Sequence, residues 1–321
     1  MWQSPRSATF LQMSPTSTSA PLIEVDDLRV TYPERDSRGP VEAVRGLSFH
    51  VNPGEVYGLL GHNGAGKSTT VEVLEGHRRA SSGTVRVLGF DPAKGSAELL
   101  DQIGIVLQTS AIEKQLTVRE VLNIYGSVYS DPADPDSLIE LVGLTGQVNQ
   151  RVGTLSGGQV RRLDLAVGIL GRPKVLFLDE PTTGFDPAAR RQSWHLIEQL
   201  CRGGTTVLLT THYLDEAEHL ADRLGVLSHG RMVVEGTPSE LLAMSPATVV
   251  SFDLPAGVEV GELPLPADFD MFGRRVVFET TTPTAVLTPI LDEAAIRGVE
   301  LDGLDVRKPS LEEVFLALEG E

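Results

Sequence analysis

The octet Gly61-His62-Asn63-Gly64-Ala65-Gly66-Lys67-Ser68 fits G-x-x-x-x-G-K-[ST], and no other feature restricts the fold of this chain so strongly. It stands between a short apolar run, Val56 to Leu60, and a helix-forming stretch, Ser68 to Glu75. Glycines at those spacings let the backbone turn tightly, so that its N–H groups converge on an anion with no Cβ in the way. The start of the following helix adds partial positive charge. On this reading Lys67 reaches the β- and γ-phosphates of a nucleotide, and the Ser68 hydroxyl ligates Mg²⁺. An ordinary glycine-rich turn is the competing reading, and the strand–loop–helix context argues against it.

A second anchor lies at Val175-Leu176-Phe177-Leu178-Asp179-Glu180. A buried apolar strand ending in two carboxylates places them at the sheet edge where ligands bind. Asp179 suits the Mg²⁺ shell, and Glu180 suits polarisation of an attacking water. Further strands are expected at Ile23–Val25 with Leu28–Val30, Leu47–Val51, Thr84–Leu88, Ile103–Leu107, Thr206–Thr210 and Leu224–Leu227. Helices alternate with the later ones, at about Ala188–Leu200 and Asp215–Ala221, while Thr117 to Leu170 reads as mostly helical. Such alternation predicts an α/β layer with a parallel sheet, joined by an antiparallel front sheet.

After Gly236-Thr237-Pro238 a short helix runs to Met244 and the pattern changes. Strands at Thr248–Leu254, Arg274–Thr280 and Leu304–Arg307, with a helix at Ala285–Arg297, predict a small α/β domain over residues 245–321. Its last helix opens on the capping box Ser310-x-x-Glu313. The large domain spans 22–244. Residues 1–21, rich in Ser, Thr and Pro with no apolar h-region, read as a disordered tail, with Met13 an alternative start.

The formal net charge is -17, which leaves no basic footprint for holding nucleic acid, so no such partner is expected. The single cysteine, Cys201, cannot close an intrachain disulfide and fits a reducing compartment. No stretch approaches the roughly 18 apolar residues of a spanning helix, so any membrane role is borrowed from another chain.

The two anchors alone leave kinases, GTPases, helicases and motor ATPases open. Leu155-Ser156-Gly157-Gly158-Gln159 narrows the field, because a Ser-Gly-Gly loop at a helix start is a second anion-binding device. One nucleotide needs one cradle; a second makes sense if it closes on the nucleotide of another copy. With Tyr32, Gly61–Thr69, Gln108, Leu155–Gln159, Val175–Glu180, Gly184-Phe185-Asp186-Pro187 and His212 in this order, the chain resembles the ABC ATPase family. That resemblance implies a P-loop ABC ATPase fold with a helical subdomain, binding ATP and Mg²⁺. It implies that Tyr32 stacks on adenine and that Gln108 contacts Mg²⁺ and the water and senses a membrane partner. It also implies that Asp186 communicates across a dimer and that His212 binds the γ-phosphate. Phe185 stands where leucine is usual and His62 at a variable position; neither departure removes a catalytic group.

Within that family the chain is most similar to ATPases of the daunorubicin-resistance type, which serve multidrug and antibiotic exporters. The stretches concerned are Glu75-Gly76, Ser82-Gly83, Leu116–Glu120, Thr211–Glu218 and Lys308–Phe315. The resemblance implies an ATPase that pairs with a second copy of itself and energises a separate multi-span permease at the cytoplasmic face of the membrane. Two alternatives stay open: a regulatory or assembly ATPase uncoupled from transport, and export of lipid, polysaccharide or ion. Replacing Lys67 with alanine is expected to abolish nucleotide affinity, as measured by equilibrium titration with a fluorescent ATP analogue.

Overall fold

The computed structural model describes residues 20–33, 39–244, 247–255 and 257–319. Of the tail expected at 1–21, only Ala20 and Pro21 fall among them, and Met13 lies outside. Strand β1 (Ile23–Tyr32) pairs antiparallel with β2 (Val41–Val51). In the early half of β2 only Val44 is buried, so alternation in the sequence marks the strand from Leu47 alone. Next comes β3 (Val56–Leu60), buried at all five positions, followed by the glycine loop and α1 (Lys67–Leu74). Strand β4 (Ser82–Val87) returns to β1 and completes a three-stranded antiparallel front sheet, ordered β2-β1-β4.

The chain then runs through α2 (Ala97–Leu100) and β5 (Ile103–Val106) into a helical subdomain of α3 (Val118–Gly126), α4 (Pro135–Leu141) and α5 (Gly157–Ile169). Thr117 and Asp134 cap α3 and α4, and Pro135 at the first position of α4 suits a helix start. Strand β6 (Val175–Asp179), α6 (Pro187–Arg202), β7 (Thr206–Thr211), α7 (Leu214–Leu220), β8 (Arg223–Ser228) and β9 (Arg231–Gly236) complete the large layer. Its sheet is ordered β5-β6-β7-β3-β8-β9, parallel except for the β8–β9 hairpin. Two apolar clusters sandwich this sheet. One joins it to the front sheet through Leu47, Tyr57 and Phe177, the other to the helical subdomain through Leu122, Leu163 and Leu178.

Helix α8 (Pro238–Ala243) leads to a four-stranded antiparallel sheet of β10 (Thr248–Asp253), β11 (Asp270–Phe272), β12 (Arg275–Thr280) and, after α9 (Pro283–Arg297), β13 (Asp302–Arg307). Strand β11 is exposed throughout and leaves no alternation to read. Helix α9 covers the sheet, with Ile290 and Ala294 packed among Val250, Phe252 and Phe278. The expected capping box forms: Ser310 N–H donates to Glu313 Oε2 at 2.7 Å, and Glu313 N–H to Ser310 Oγ at 3.3 Å. It opens α10 (Leu311–Glu319), whose Leu311 shares a buried cluster with Leu60, Ala217, Leu224 and Leu241 of the large layer. Truncating Leu311 to alanine is expected to destabilise the fold by about 2–4 kcal/mol, the cost of an unfilled core site, as read from urea denaturation midpoints.

Candidate functional site

Strands β3, β7 and β6 end side by side, so the segments that follow them share one edge of the sheet. After β3 the loop bends through Gly64 and Gly66, whose φ angles of 85° and 105° lie in the left-handed region. Gly61, Ala65 and Gly66 are buried, His62 is half-buried, and Asn63 and Gly64 are exposed. His62 Nδ1 lies 2.8 Å from Asn63 O, and its ring sits 5.4 Å from that of His229. Lys67 Nζ donates to Gly61 O at 2.6 Å and His62 O at 3.2 Å, curling the ammonium back over the loop. Burial holds the Lys67 pKa below its ordinary value, against the upward pull of Glu180 and Asp179.

The exposed Ser68 hydroxyl donates to Asp179 Oδ1 at 3.4 Å. Thr69 Oγ1 lies 3.1 Å from the Tyr32 hydroxyl, which ties the end of β1 to the start of α1. The Arg78 guanidinium lies over the Tyr32 ring, 4.4 Å from its centroid. Buried Glu180 has φ 47°, a left-handed conformation that costs a non-glycine residue about 1–3 kcal/mol. Its carboxylate accepts from Gln108 Nε2 at 2.9 Å and Thr183 Oγ1 at 3.1 Å. His212 Nδ1 approaches Glu180 Oε1 to 3.2 Å, without the direction of a good hydrogen bond.

Lys67, Ser68, Gln108, Asp179, Glu180 and His212 thus form one cluster, with Tyr32 and Thr69 on its flank. Ser156, Gly157, Gly158, Gln159 and Asp186 stand apart, at the heads of α5 and α6. Ser156 and Gln159 form a capping box, with Ser156 N–H donating to Gln159 Oε1 at 2.8 Å and Gln159 N–H to Ser156 Oγ at 3.3 Å. Ser156 Oγ accepts within the cap, which leaves its own O–H unused by that bond. Asp186 Oδ1 accepts from Ala188 and Ala189 N–H, both at 2.9 Å, so this carboxylate caps α6.

Two residues join the cluster unannounced by the motifs. Thr210 Oγ1 donates to Asp179 Oδ1 and accepts from Glu180 N–H at 3.1 Å, so one hydroxyl serves both acidic residues. Arg161, on α5, turns inward and binds main-chain carbonyls of the turns carrying Gln108 and Glu180. Its position beside Arg162 reads from sequence only as a basic helix face.

Known proteins carry the same architecture. Residues 44–183 match the ABC transporter family, and residues 248–310 match the C-terminal domain of ABC transporter domain-containing-like proteins. The chain is 37% identical over 306 residues to the daunorubicin resistance ATP-binding protein DrrA3 of Streptomyces coeruleorubidus, covering 92% of this chain and 97% of that one. It is 38% identical over 318 residues to the Nod factor export ATP-binding protein I of Neorhizobium galegae, covering 96% of this chain and 88% of that one. Among solved structures, cbiO1 of Clostridium perfringens, part of an ABC transporter complex, superposes with a TM-score of 0.61 at 28% identity. That superposition covers 70% of this chain and 92% of the other.

At the far end of α1, Glu75 is only 5% exposed, and its Oε1 has no hydrogen-bond partner among the described residues. Burial first, then the charges of Asp179 and Glu72, raise its pKa from 4.5 to about 8. The unfolded chain ionises this group near 4.5 while the native state keeps the proton to about 8. Its stabilising contribution is therefore full below about pH 4.5 and lost as pH rises through about 8, at about 1.4 kcal/mol per unit. Urea denaturation of Glu75→Gln is expected to lose less stability than the parent chain over that pH range.

Proposed function

The chain belongs to the ABC transporter family of ATP-binding proteins, and from that membership we propose that it powers export of drugs, antibiotics or similar small hydrophobic compounds through a separate permease. It is an ATPase, and its curated relatives carry resistance and export names. Among the described residues no helix is long and apolar enough to cross a membrane. The permease reading is supported by an open groove of ≈ 830 Å³ between α2, β5 and the helical subdomain, lined by Leu100, Ile105, Tyr125, Val128 and Tyr129. Val128 is 76% exposed there, an apolar surface suited to a short helix of the membrane partner. The ATPase would then sit on the cytoplasmic face of the membrane.

In this reading the loop Gly61 to Gly66 presents backbone N–H groups to the triphosphate, Lys67 neutralises its terminal charge and Tyr32 stacks on adenine. His212 binds the γ-phosphate. Ser68, Asp179 and the amide oxygen of Gln108 would hold Mg²⁺. The donors are all oxygen, as that ion prefers, and Ser68 and Asp179 stand within 3.4 Å. When bound, the ion supplies positive charge to the β- and γ-phosphate oxygens. Glu180 takes the role of orienting and polarising the attacking water. The observation that carries this is the convergence of Gln108 and His212 on the Glu180 carboxylate, at 2.9 and 3.2 Å, next to Lys67 and Asp179.

Ser156 to Gln159 and Asp186 lie at the heads of α5 and α6. We assign them to the nucleotide held by a second copy, with two ATPs sandwiched between two chains, so that cleavage converts closure into reopening. Co-purification of the chain from membranes with a multi-span protein separates transport from a regulatory or assembly role. Glu180→Gln is expected to retain ATP affinity, to lose hydrolysis by about 100-fold or more, and to accumulate as an ATP-bound dimer on gel filtration. Turnover at the parent rate would remove Glu180 from the mechanism.

A further inference from the structure

We infer that Arg161 is a positioning residue for ATP cleavage, one that fixes the backbone of Glu180 in its left-handed turn and fastens that turn to Gln108. The inference rests on the role proposed above for Glu180. Arg161 is 9% exposed, and its five hydrogen bonds all go to backbone carbonyls. Nε donates to Pro181 O at 3.0 Å, and Nη2 to Asp179 O at 3.0 Å and Glu180 O at 3.1 Å. Nη1 donates to Leu107 O and, at 3.5 Å, to Gln108 O.

Three successive carbonyls, 179 to 181, can aim at one guanidinium only because the chain reverses at Glu180, where φ is 47°. A buried cation costs free energy unless its donors are satisfied. Here the turn satisfies them, and the arginine in return holds the turn. The rigid fork matters: a lysine ammonium is a single point and cannot span both the Leu107–Gln108 and the Asp179–Pro181 carbonyls.

A second grip lies one turn along the same helix, where Asp164 Oδ1 accepts from Ser110 Oγ at 2.6 Å. Helix α5 thus holds the segment around Gln108 at two points and the Glu180 turn at one. The helix also begins at Ser156, the residue assigned to the second copy's nucleotide. Engagement at Ser156 and alignment of the Gln108–Glu180 pair are therefore linked through one rigid rod about 20 Å long or less.

The test is a double-mutant cycle on the purified full chain, with single-turnover hydrolysis and equilibrium ATP binding measured in parallel. Arg161→Lys is expected to slow hydrolysis by about 100-fold, the scale of an ångström-level misplacement, while ATP affinity stays within about threefold. In the Glu180→Gln background the same substitution is expected to slow the residual rate by less than about twofold, since residues acting as one unit are non-additive. Arg161→Gln, which keeps two donors without the charge, serves as the second variant and should fall between. Parental turnover in both variants overturns the proposal, as does a loss that appears equally in affinity or adds fully to Glu180→Gln. Failure of both variants to fold assigns the residue to stability alone and overturns it as well. An unimpaired Glu180→Gln enzyme removes the role of Glu180 itself, an outcome distinct from a defect confined to the Arg161 variants.

Discussion

The site exists because backbone can approach backbone closely where β3 ends. A Cβ on Gly61 would lie 2.4 Å from Leu227 O, and one on Gly66 would lie 2.7 Å from Ala43 O. Glycine at both positions lets the loop wedge between β8 and β2 and deliver the first turn of α1 at the sheet edge. Everything else is arranged around that edge. Strand β6 contributes Asp179, Glu180 follows it, and β7 contributes Thr210 and leads to His212. Parallel pairing of β3, β7 and β6 sets these ends level, which a mixed strand order would not do.

Charge makes the arrangement less obvious. A chain with a net charge of -17 belongs to a family that binds ATP, itself an anion. In the proposed arrangement attraction is confined to a small volume, where Lys67, the loop N–H groups and the α1 terminus would act at short range in a partly dry setting. The long-range field of the many surface carboxylates is screened over about 8–10 Å in physiological salt. Buried Lys67 and Arg161 differ in how they are satisfied. Lys67 binds two loop carbonyls through one atom, whereas Arg161 reads five carbonyls across two turns.

Most of this was legible in the sequence, for a physical reason. The octet at 61–68, the acidic strand end at 179–180, the Ser-Gly-Gly helix start at 156–158 and the capping box at Ser310 are local devices, whose chemistry is complete within a few residues. Alternation likewise exposed the strands whose two faces differ in burial. What stayed hidden was long-range or one-sided. Arg161 and Thr210 bind groups up to 54 and 31 positions away, and a main-chain carbonyl leaves no mark on residue identity. Strand β11 has no buried face to produce a pattern. The capping box announces α10 but cannot say that Leu311 packs against Leu60 and Leu224.

The packing of α10 has a topological consequence. Helix α8 leads out of the large layer, α10 leads back, and Leu241 of one meets Leu311 of the other in a single cluster. To its host, the intervening four-stranded unit is a closed excursion that starts and finishes at the same place. The entropy of closing such an excursion grows only with the logarithm of its length. Evolution can therefore enlarge, shrink or replace that unit at little cost to the catalytic half, provided the pair of helices at its base stays clasped.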